Sequence, residues 1–248
     1  MSRTAQQTVK RTAFITGSSR GLGFTLADFL AKQGYNLVLT ARGEEALEES
    51  VTKLRETARG EIVALAGDTS DAAHRTALVQ EVERLGSLSL LVNNASDLGP
   101  SPLPYLKDYP LERLEDLYRT NVVAPLGLIQ AALPFLGEDG LIINVTSDAA
   151  VGAYEGWGGY GSSKAALDLL TSTLANEGVN AVSVDPGDMR TAMHQAAFPG
   201  EDISDRPLPE VTLPFWAWLL GQDPRTVSGG RFGAQSERWE VQPEEVSA

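Results

Sequence analysis

The chain contains no cysteine. Disulfides, thiolate nucleophiles and cysteine-held metals are excluded together, and a reducing, cytoplasmic setting is the expectation. Histidine is nearly as scarce. His74 and His194 stand far apart with no HExxH-like spacing, so no metal site is expected; His194 reads as a solvent-facing residue. Basic residues are few, with 20 Lys and Arg against 33 Asp and Glu for a net charge of −13. No overall basic field exists to replace phosphate counterions, so no nucleic-acid partner is expected. Long apolar runs are missing as well. The most apolar patch, "LPFWAWLLG" from Leu213, falls well short of the ~20 residues that span a bilayer, which excludes a membrane-spanning helix there. Residues 1–11, "MSRTAQQTVKR", lack an apolar signal core and read as a flexible polar tail.

What is present is a regular alternation. The 248 residues are enough for a substantial core, and no repeat, low-complexity block or linker divides them, so residues 12–248 read as one domain. Short aliphatic runs recur: "TAFIT" (Thr12–Thr16), "NLVLT" (Asn36–Thr40), "EIVALAG" (Glu61–Gly67), "LSLLVNN" (Leu88–Asn94), "LIINVTS" (Leu141–Ser147) and "VNAVSVD" (Val179–Asp185). Runs with so few polar interruptions suit strands buried on both faces. Between them lie amphipathic segments such as "EEALEESVTKLRETA", where Leu47, Val51 and Leu54 share a helical stripe; Gly34 and Gly60 sit where helix C-caps are expected. This order predicts an α/β fold: a doubly wound, Rossmann-type parallel sheet with helices on both faces, closed at one edge by a weaker strand, "GGRFGA", near Arg231.

The first strand runs into "GSSRGLG" and then an amphipathic helix. Gly17, Gly21 and Gly23 permit positive φ or close backbone approach, and a helix starting near Gly21 aims unpaired N–H groups at an anion. No Gly-Lys-Ser/Thr follows, which rules out a P-loop, and the spacing is GxxxGxG rather than GxGxxG. The second strand ends in "LVLTAR", with Thr40 and Arg42 but no acid before Glu44. Arg42, together with Arg20 in the turn, suits a 2′-phosphate better than a bare ribose, so NADP(H) is preferred over NAD(H).

"TGSSRGLG" resembles the TGxxxGxG turn of the short-chain dehydrogenase/reductase family, and further family motifs follow in order from Thr12 to Thr191. By that resemblance Gly17, Ser19, Arg20, Gly21, Leu22 and Gly23 would line the cofactor's phosphates, with Arg42 beside them. Asp68 and Thr69 of "GDTSD" would meet the adenine. Asn94 and Ala95 of "NNAS" would pass along the cofactor. Pro186 and Gly187 of "DPGDMRT" would wall the nicotinamide, and Thr191 would reach its carboxamide or phosphate. Ser96 departs from the usual glycine of NNAG and would be strained if the position needs positive φ.

"YGSSK" places Tyr160 and Lys164 four residues apart, on one face of a helix. An ammonium beside a phenol favours phenolate; lowering the phenol's pKa by ~2–3 units takes ~3–4 kcal/mol. The pair matches the family's YxxxK motif, with Ser147 and Asn121 at the positions of its serine and asparagine. The resemblance implies that Tyr160 exchanges a proton with the substrate oxygen and Ser147 hydrogen-bonds that oxygen. Lys164 would tune Tyr160 and hold the nicotinamide ribose, while Asn121 would help hold a water leading to solvent. The activity implied is hydride transfer between NADP(H) and a small-molecule ketone or aldehyde and its alcohol, in a homodimer or homotetramer packed through the helices carrying Asn121 and Tyr160. A cofactor-binding sensor without turnover and a nicotinamide-dependent epimerase or dehydratase remain as alternatives. Residues 191–220 read as a substrate lid, whose Phe215, Trp216 and Trp218 either line its mouth or pack beneath it or in a subunit interface.

Overall fold

A computed structural model describes residues 11–240. Seven strands form one fully parallel sheet: β1 (Thr12–Thr16), β2 (Asn36–Ala41), β3 (Ile62–Ala66), β4 (Leu88–Asn93), β5 (Leu136–Val145), β6 (Ala181–Asp185) and β7 (Arg231–Gly233). Their spatial order is β3-β2-β1-β4-β5-β6-β7, so the chain reverses its winding between β1 and β4. Each expected strand forms, and the weak run at Arg231 does close an edge.

Side chains alternate between two cores, as a pleated strand buried on both faces requires. Ala13, Ile15, Leu37, Leu39, Leu90 and Val92 face one side; Phe14, Val38 and Leu91 face the other. Helices α1 (Gly21–Lys32) and α2 (Glu44–Arg55) cover the first face. Leu47, Val51 and Leu54 form the buried stripe of α2. The second face takes α3 (Ala72–Leu85). Helix α4 (Leu111–Tyr118) passes through a π-helical turn, Arg119–Val123, into α5 (Ala124–Ala132). Both α5 and α6 (Gly158–Asn176) lean on the second core through Leu128, Ile129 and Leu174. A buried amide chain fixes the seating of α6: Asn93 Nδ2 donates to Asn144 Oδ1 at 2.8 Å, and Asn144 Nδ2 donates to Thr171 Oγ1 at 2.8 Å.

Gly34 has φ +88° just past α1, as a C-cap glycine should. Gly60 does not cap α2, which ends at Arg55. A Cβ there would lie 2.0 Å from the Tyr35 carbonyl oxygen, so the glycine serves close backbone packing instead.

Past β6 come α7 (Ala192–Ala197), α8 (Leu213–Leu219) and α9 (Pro224–Val227). Phe215 and Trp216 of α8 are buried in the first core, where Phe215 meets Trp218, Phe232 and Trp239 at ring separations of 5.8, 6.2 and 5.4 Å. These aromatics therefore do not form the mouth: Phe215 and Trp216 belong to the first core, Trp218 packs against it, and none of the three lines the cavity described below. The tail expected over residues 1–11 lies outside the described residues except for Arg11, whose guanidinium stands 4.3 Å from the centre of the Tyr35 ring.

Candidate active site

The carboxyl ends of the strands converge at the reversal between β1 and β4, where open α/β sheets carry their ligands. Gly17 and Gly21 adopt φ +66° and +55°, and a Cβ on Gly23 would stand 2.3 Å from the Gly17 carbonyl oxygen. Only glycine permits that fold of the turn. Ser18 pins it to β2, its N–H and Oγ both donating to Thr40 O at 3.1 and 3.2 Å, while Ser50 Oγ donates to Ser19 O at 2.6 Å. From β4, Asn94 Nδ2 donates to the carbonyls of Thr16 and Gly17 at 2.9 and 3.1 Å. Ala95 N–H donates to Thr16 Oγ1 at 2.9 Å.

Arg20 precedes α1 in extended backbone without a capping side-chain bond, and the first turn holds no acid. The N–H groups and positive end of α1 are thus left for an external anion, and a dinucleotide phosphate fits this cradle. Thr191 closes it from the far side: a Cβ on Gly21 would touch Thr191 Cγ2 at 3.5 Å. Arg20 and Arg42 are both exposed, and neither pairs with a carboxylate among the described residues. Asp68 follows β3 and accepts from Ser70 N–H at 2.8 Å, while Thr69 is buried behind it, its carbonyl accepting from Arg75 Nη1 at 2.7 Å. After β6, Gly187 takes φ +73°, and Gln235 Nε2 braces the segment through Pro186 O and Asp188 O at 2.9 Å each.

Tyr160 and Lys164 lie on the buried side of α6 at 8% and 2% exposure. The glycines around them have a geometric reason. A Cβ on Gly161 would stand 2.4 Å from Ala149 O, and one on Gly159 would stand 2.3 Å from the Tyr109 ring. Without side chains there, α6 abuts the 3-10 turn Asp148–Ala150, whose N-cap is Ser147. Ser147 Oγ accepts from Ala149 N–H at 3.2 Å and donates to Asp148 Oδ1 at 3.0 Å. Lys164 Nζ donates to Val145 O at 2.7 Å and sits 5.6 Å from the centre of the Tyr160 ring. Asn121 is fully buried in the π-helical turn rather than in a continuous long helix. Its side chain is spent on protein: Oδ1 accepts from Asp97 N–H (2.8 Å) and Ser96 Oγ (3.2 Å), and Nδ2 donates to Asp97 O (2.8 Å) and Ser163 Oγ (3.0 Å).

Ser96 is a site neighbour that the sequence flagged only as a departure. No residue other than glycine has positive φ among the described residues, so serine is unstrained there. Its hydroxyl also lies near enough to the Tyr160 phenol to draw the phenol's pKa downward. The net direction is nevertheless upward, because burial dominates and the carboxylates of Asp185 and Asp148 add to it. Lys164 is not among the groups that lower it, its ammonium being directed at the Val145 carbonyl. Burial likewise lowers Lys164 from 10.5 to about 8, against an opposing pull from Asp168.

That depression has a stability consequence. Between pH 8 and 10.5 the unfolded chain keeps a proton at this position that the folded chain has released, so folding stability rises with pH across the window. From pH 8 to 9.5 the wild type should gain on the order of 2 kcal/mol relative to Lys164→Met, measured by urea unfolding of both. Parallel pH profiles would contradict the burial-driven shift. The raised Tyr160 acts only above its ordinary value of 10, where it lowers stability, so it leaves this window clear.

Ser147, Tyr160, Pro186, Gly187 and Thr191 line one cavity of about 410 Å³, with Trp157, Phe198, Met193 and His194 on its other walls. Trp157 meets Tyr160 edge-on at 5.8 Å and Phe198 at 6.0 Å. His194 does not face solvent: its side chain is 10% exposed, its Nδ1 lies 3.7 Å from Asp188, and its ring stands 4.9 Å from Phe198. The periodicity of so short a helix as α7 gave no sign of that orientation. Among the described residues no cluster of histidines and carboxylates could hold a metal, and no helix is long and apolar enough to cross a membrane.

With this geometry, the comparisons with known proteins are consistent. The family model described as short chain dehydrogenase matches residues 11–202. The oxidoreductase YciK of Escherichia coli K12 is 31% identical over 92% of this chain and 93% of its own length. A short chain dehydrogenase from Shigella flexneri 2a, solved in complex with NADP, superposes with a TM-score of 0.84 at 29% identity, over 91% of this chain and 97% of that one. One from E. coli CFT073, complexed with NADPH, gives a TM-score of 0.82 at 29% identity over the same shares.

Proposed function

The chain belongs to the short-chain dehydrogenase/reductase family of oxidoreductases, and from that premise we propose that it transfers a hydride between NADP(H) and a small carbonyl compound or its alcohol, with Tyr160 as the proton donor and acceptor. One observation carries the reading: Tyr160 and Ser147 line one cavity together with Thr191, which touches the uncapped N-terminus of α1 at Gly21, and Lys164 is buried 5.6 Å from the centre of the Tyr160 ring. The glycine turn and that helix end would hold the pyrophosphate. Asp68 and Thr69 would flank the adenine, and Pro186 and Gly187 the nicotinamide. When bound, the cofactor supplies or accepts the hydride. In reduction Tyr160 gives its phenolic proton to the carbonyl oxygen, which Ser147 orients once its hydroxyl leaves Asp148. The Ser96 hydroxyl then turns from Asn121 Oδ1 to donate to the phenolate left behind, and Lys164 stabilises it by charge. Asn121 holds the Ser96–Asp97 loop and Ser163 in place beside Tyr160.

Exposed Leu169 on α6 and Val123 beside Asn121 support assembly into a homodimer or homotetramer through those helices. A cytoplasmic setting is supported by the absence of cysteine. Residues 191 to about 212 act as the lid, since α8 beyond them belongs to the core.

Fluorescence titration tests the cofactor. NADPH should bind at micromolar concentration and more tightly than NADH, and carbonyl compounds should then accelerate NADPH oxidation. Absence of binding by either nucleotide would remove the basis of the proposal. Exposed Arg42 and Arg20 support the 2′-phosphate preference. Arg42→Asp should weaken NADPH binding by ~10–100-fold, the scale of a lost charged hydrogen bond, while NADH is affected far less. An equal effect on both nucleotides would assign Arg42 another role.

A further inference from the structure

The groups lining the substrate cavity sort by hydrogen-bonding chemistry. The apolar surface is largely aromatic and sulfur-bearing, led by Trp157 and Phe198. Asp148, Glu155, Asp185 and Asp188 also line it, and no lysine or arginine does. Carboxylates at a rim are ordinarily just solvated, so their partners matter. Asp185 is balanced by Arg231 Nη2 at 3.5 Å. Asp188 faces Arg206 Nε at 3.6 Å and His194 Nδ1 at 3.7 Å. Asp148 accepts from Ser147 Oγ, its charge raises the pKa of the Tyr154 phenol, and it has no cation partner among the described residues. Glu155 has no ion pair among them either.

A second, independent observation points the same way. His194 Nε2 is buried and has no hydrogen-bond partner, although the side chain is 10% exposed and lines the cavity. With Nδ1 facing the Asp188 carboxylate, the proton of a neutral ring belongs on Nδ1, which leaves a bare lone pair on Nε2. Beside one buried hydroxyl without a partner, Thr146 Oγ1, the free capacity of this wall is acceptor: one buried imidazole nitrogen and two exposed carboxylates without cations.

On the reading that this cavity is the substrate site of a carbonyl/alcohol oxidoreductase, we infer that its substrate carries a protonated amine, directed at His194, Asp148 and Glu155, with an apolar body against Trp157 and Phe198. The cation gains charge-assisted hydrogen bonds on one side and aromatic faces on the other. It would also do a second thing. Ser147 donates its hydroxyl proton to Asp148, and an ammonium on that carboxylate competes for the same oxygens, releasing Ser147 toward the carbonyl. The negative field acts on the site as it stands, because Asp148 and Asp185 both push Tyr154 and Tyr160 upward.

The test compares size-matched aldehydes by NADPH oxidation at low salt: 4-(dimethylaminomethyl)benzaldehyde, protonated at pH 7; neutral 4-isopropylbenzaldehyde; and anionic 4-formylphenylacetate. The cationic compound should have kcat/KM at least roughly tenfold above the neutral one, with the anionic compound lowest, on the scale of one charge-assisted hydrogen bond. Its quaternary analogue, 4-(trimethylammoniomethyl)benzaldehyde, keeps the charge without an N–H and should fall between the tertiary and neutral compounds. In an Asp148→Asn, Glu155→Gln double variant the cationic-to-neutral ratio should collapse to within about threefold. Reduction of all three classes without charge preference, or a ratio unchanged in the double variant, overturns the inference and leaves the oxidoreductase reading intact. Calorimetric binding of N,N-dimethylbenzylamine separates the other case. If no aldehyde is reduced yet this amine binds wild type and not the double variant, the cationic wall stands and the reduction reading fails; if it binds neither, the cationic wall fails too.

Discussion

Tyr160→Phe is expected to lower carbonyl reduction by ~100-fold or more, the scale of a lost general acid, while NADPH binding stays near the wild-type value. The substitution removes one oxygen from a ring that is 8% exposed and already seated against Trp157 at 5.8 Å, so the fold has no cause to change. Binding should persist because the phosphate cradle lies on the Gly17–Gly23 turn and α1 and contains no part of the phenol. What is lost is the proton held beside Ser147 and within reach of the Ser96 hydroxyl. Steady-state kinetics with any accepted aldehyde, paired with a nucleotide titration, measures both quantities. Unchanged turnover would end the proposed role of Tyr160. NADPH binding with no turnover in the wild type across a broad carbonyl panel would instead favour a cofactor-binding sensor, and turnover without net NADPH consumption an epimerase or dehydratase.

Trp216→Ala should act on stability rather than on chemistry. The indole is 1% exposed, donates from Nε1 to Thr212 Oγ1 at 2.9 Å, and meets Phe215 edge-on at 5.0 Å. Truncating a large aromatic ring in such a site costs ~3–5 kcal/mol through lost burial and the cavity left behind. For a chain of this size the melting temperature should fall on the order of 10 °C. Thr212 Oγ1 loses its indole donor but still donates to Pro209 O at 2.7 Å, so the hydroxyl is not orphaned. Below the lowered melting point, KM for the carbonyl substrate should be close to wild type. The opposite pattern, an unchanged melting temperature with a raised KM, would mean that Trp216 belongs to the substrate path.

Much of this was legible in the chain itself. Aliphatic runs with few polar interruptions suit strands buried on both faces of a parallel sheet sandwiched by helices, so β1 to β6 followed from residue pattern, while their spatial order came from the structure. The glycines at 17, 21 and 23 announced their turn because no other residue combines those φ values with a 2.3 Å approach to a carbonyl. Tyr160 and Lys164 were legible as a pair because four residues make one helical turn. Other features depend on contacts across the fold, which periodicity does not encode. Gly60 looked like a cap and is a packing contact with Tyr35, about 25 residues away in sequence. The aromatics of α8 carry the same letters whether they line a mouth or fill a core; only the position of Phe232 and Trp239 placed them inside. His194 turned inward because Phe198 and Asp188 flank it in space. Ser96, a motif exception in the sequence, became a partner of Asn121 and a neighbour of Tyr160 once the loop after β4 was folded against the π-helical turn. The sequence by itself determined the sheet, the glycine turn and the spacing of Tyr160 and Lys164, because those depend on local geometry and on which faces must be buried. Tertiary structure alone decided the charges and exposures: Lys164 at about 8, Tyr160 raised, His194 with a bare nitrogen. Desolvation and pairing are properties of surroundings, and those surroundings come from residues far apart in the chain.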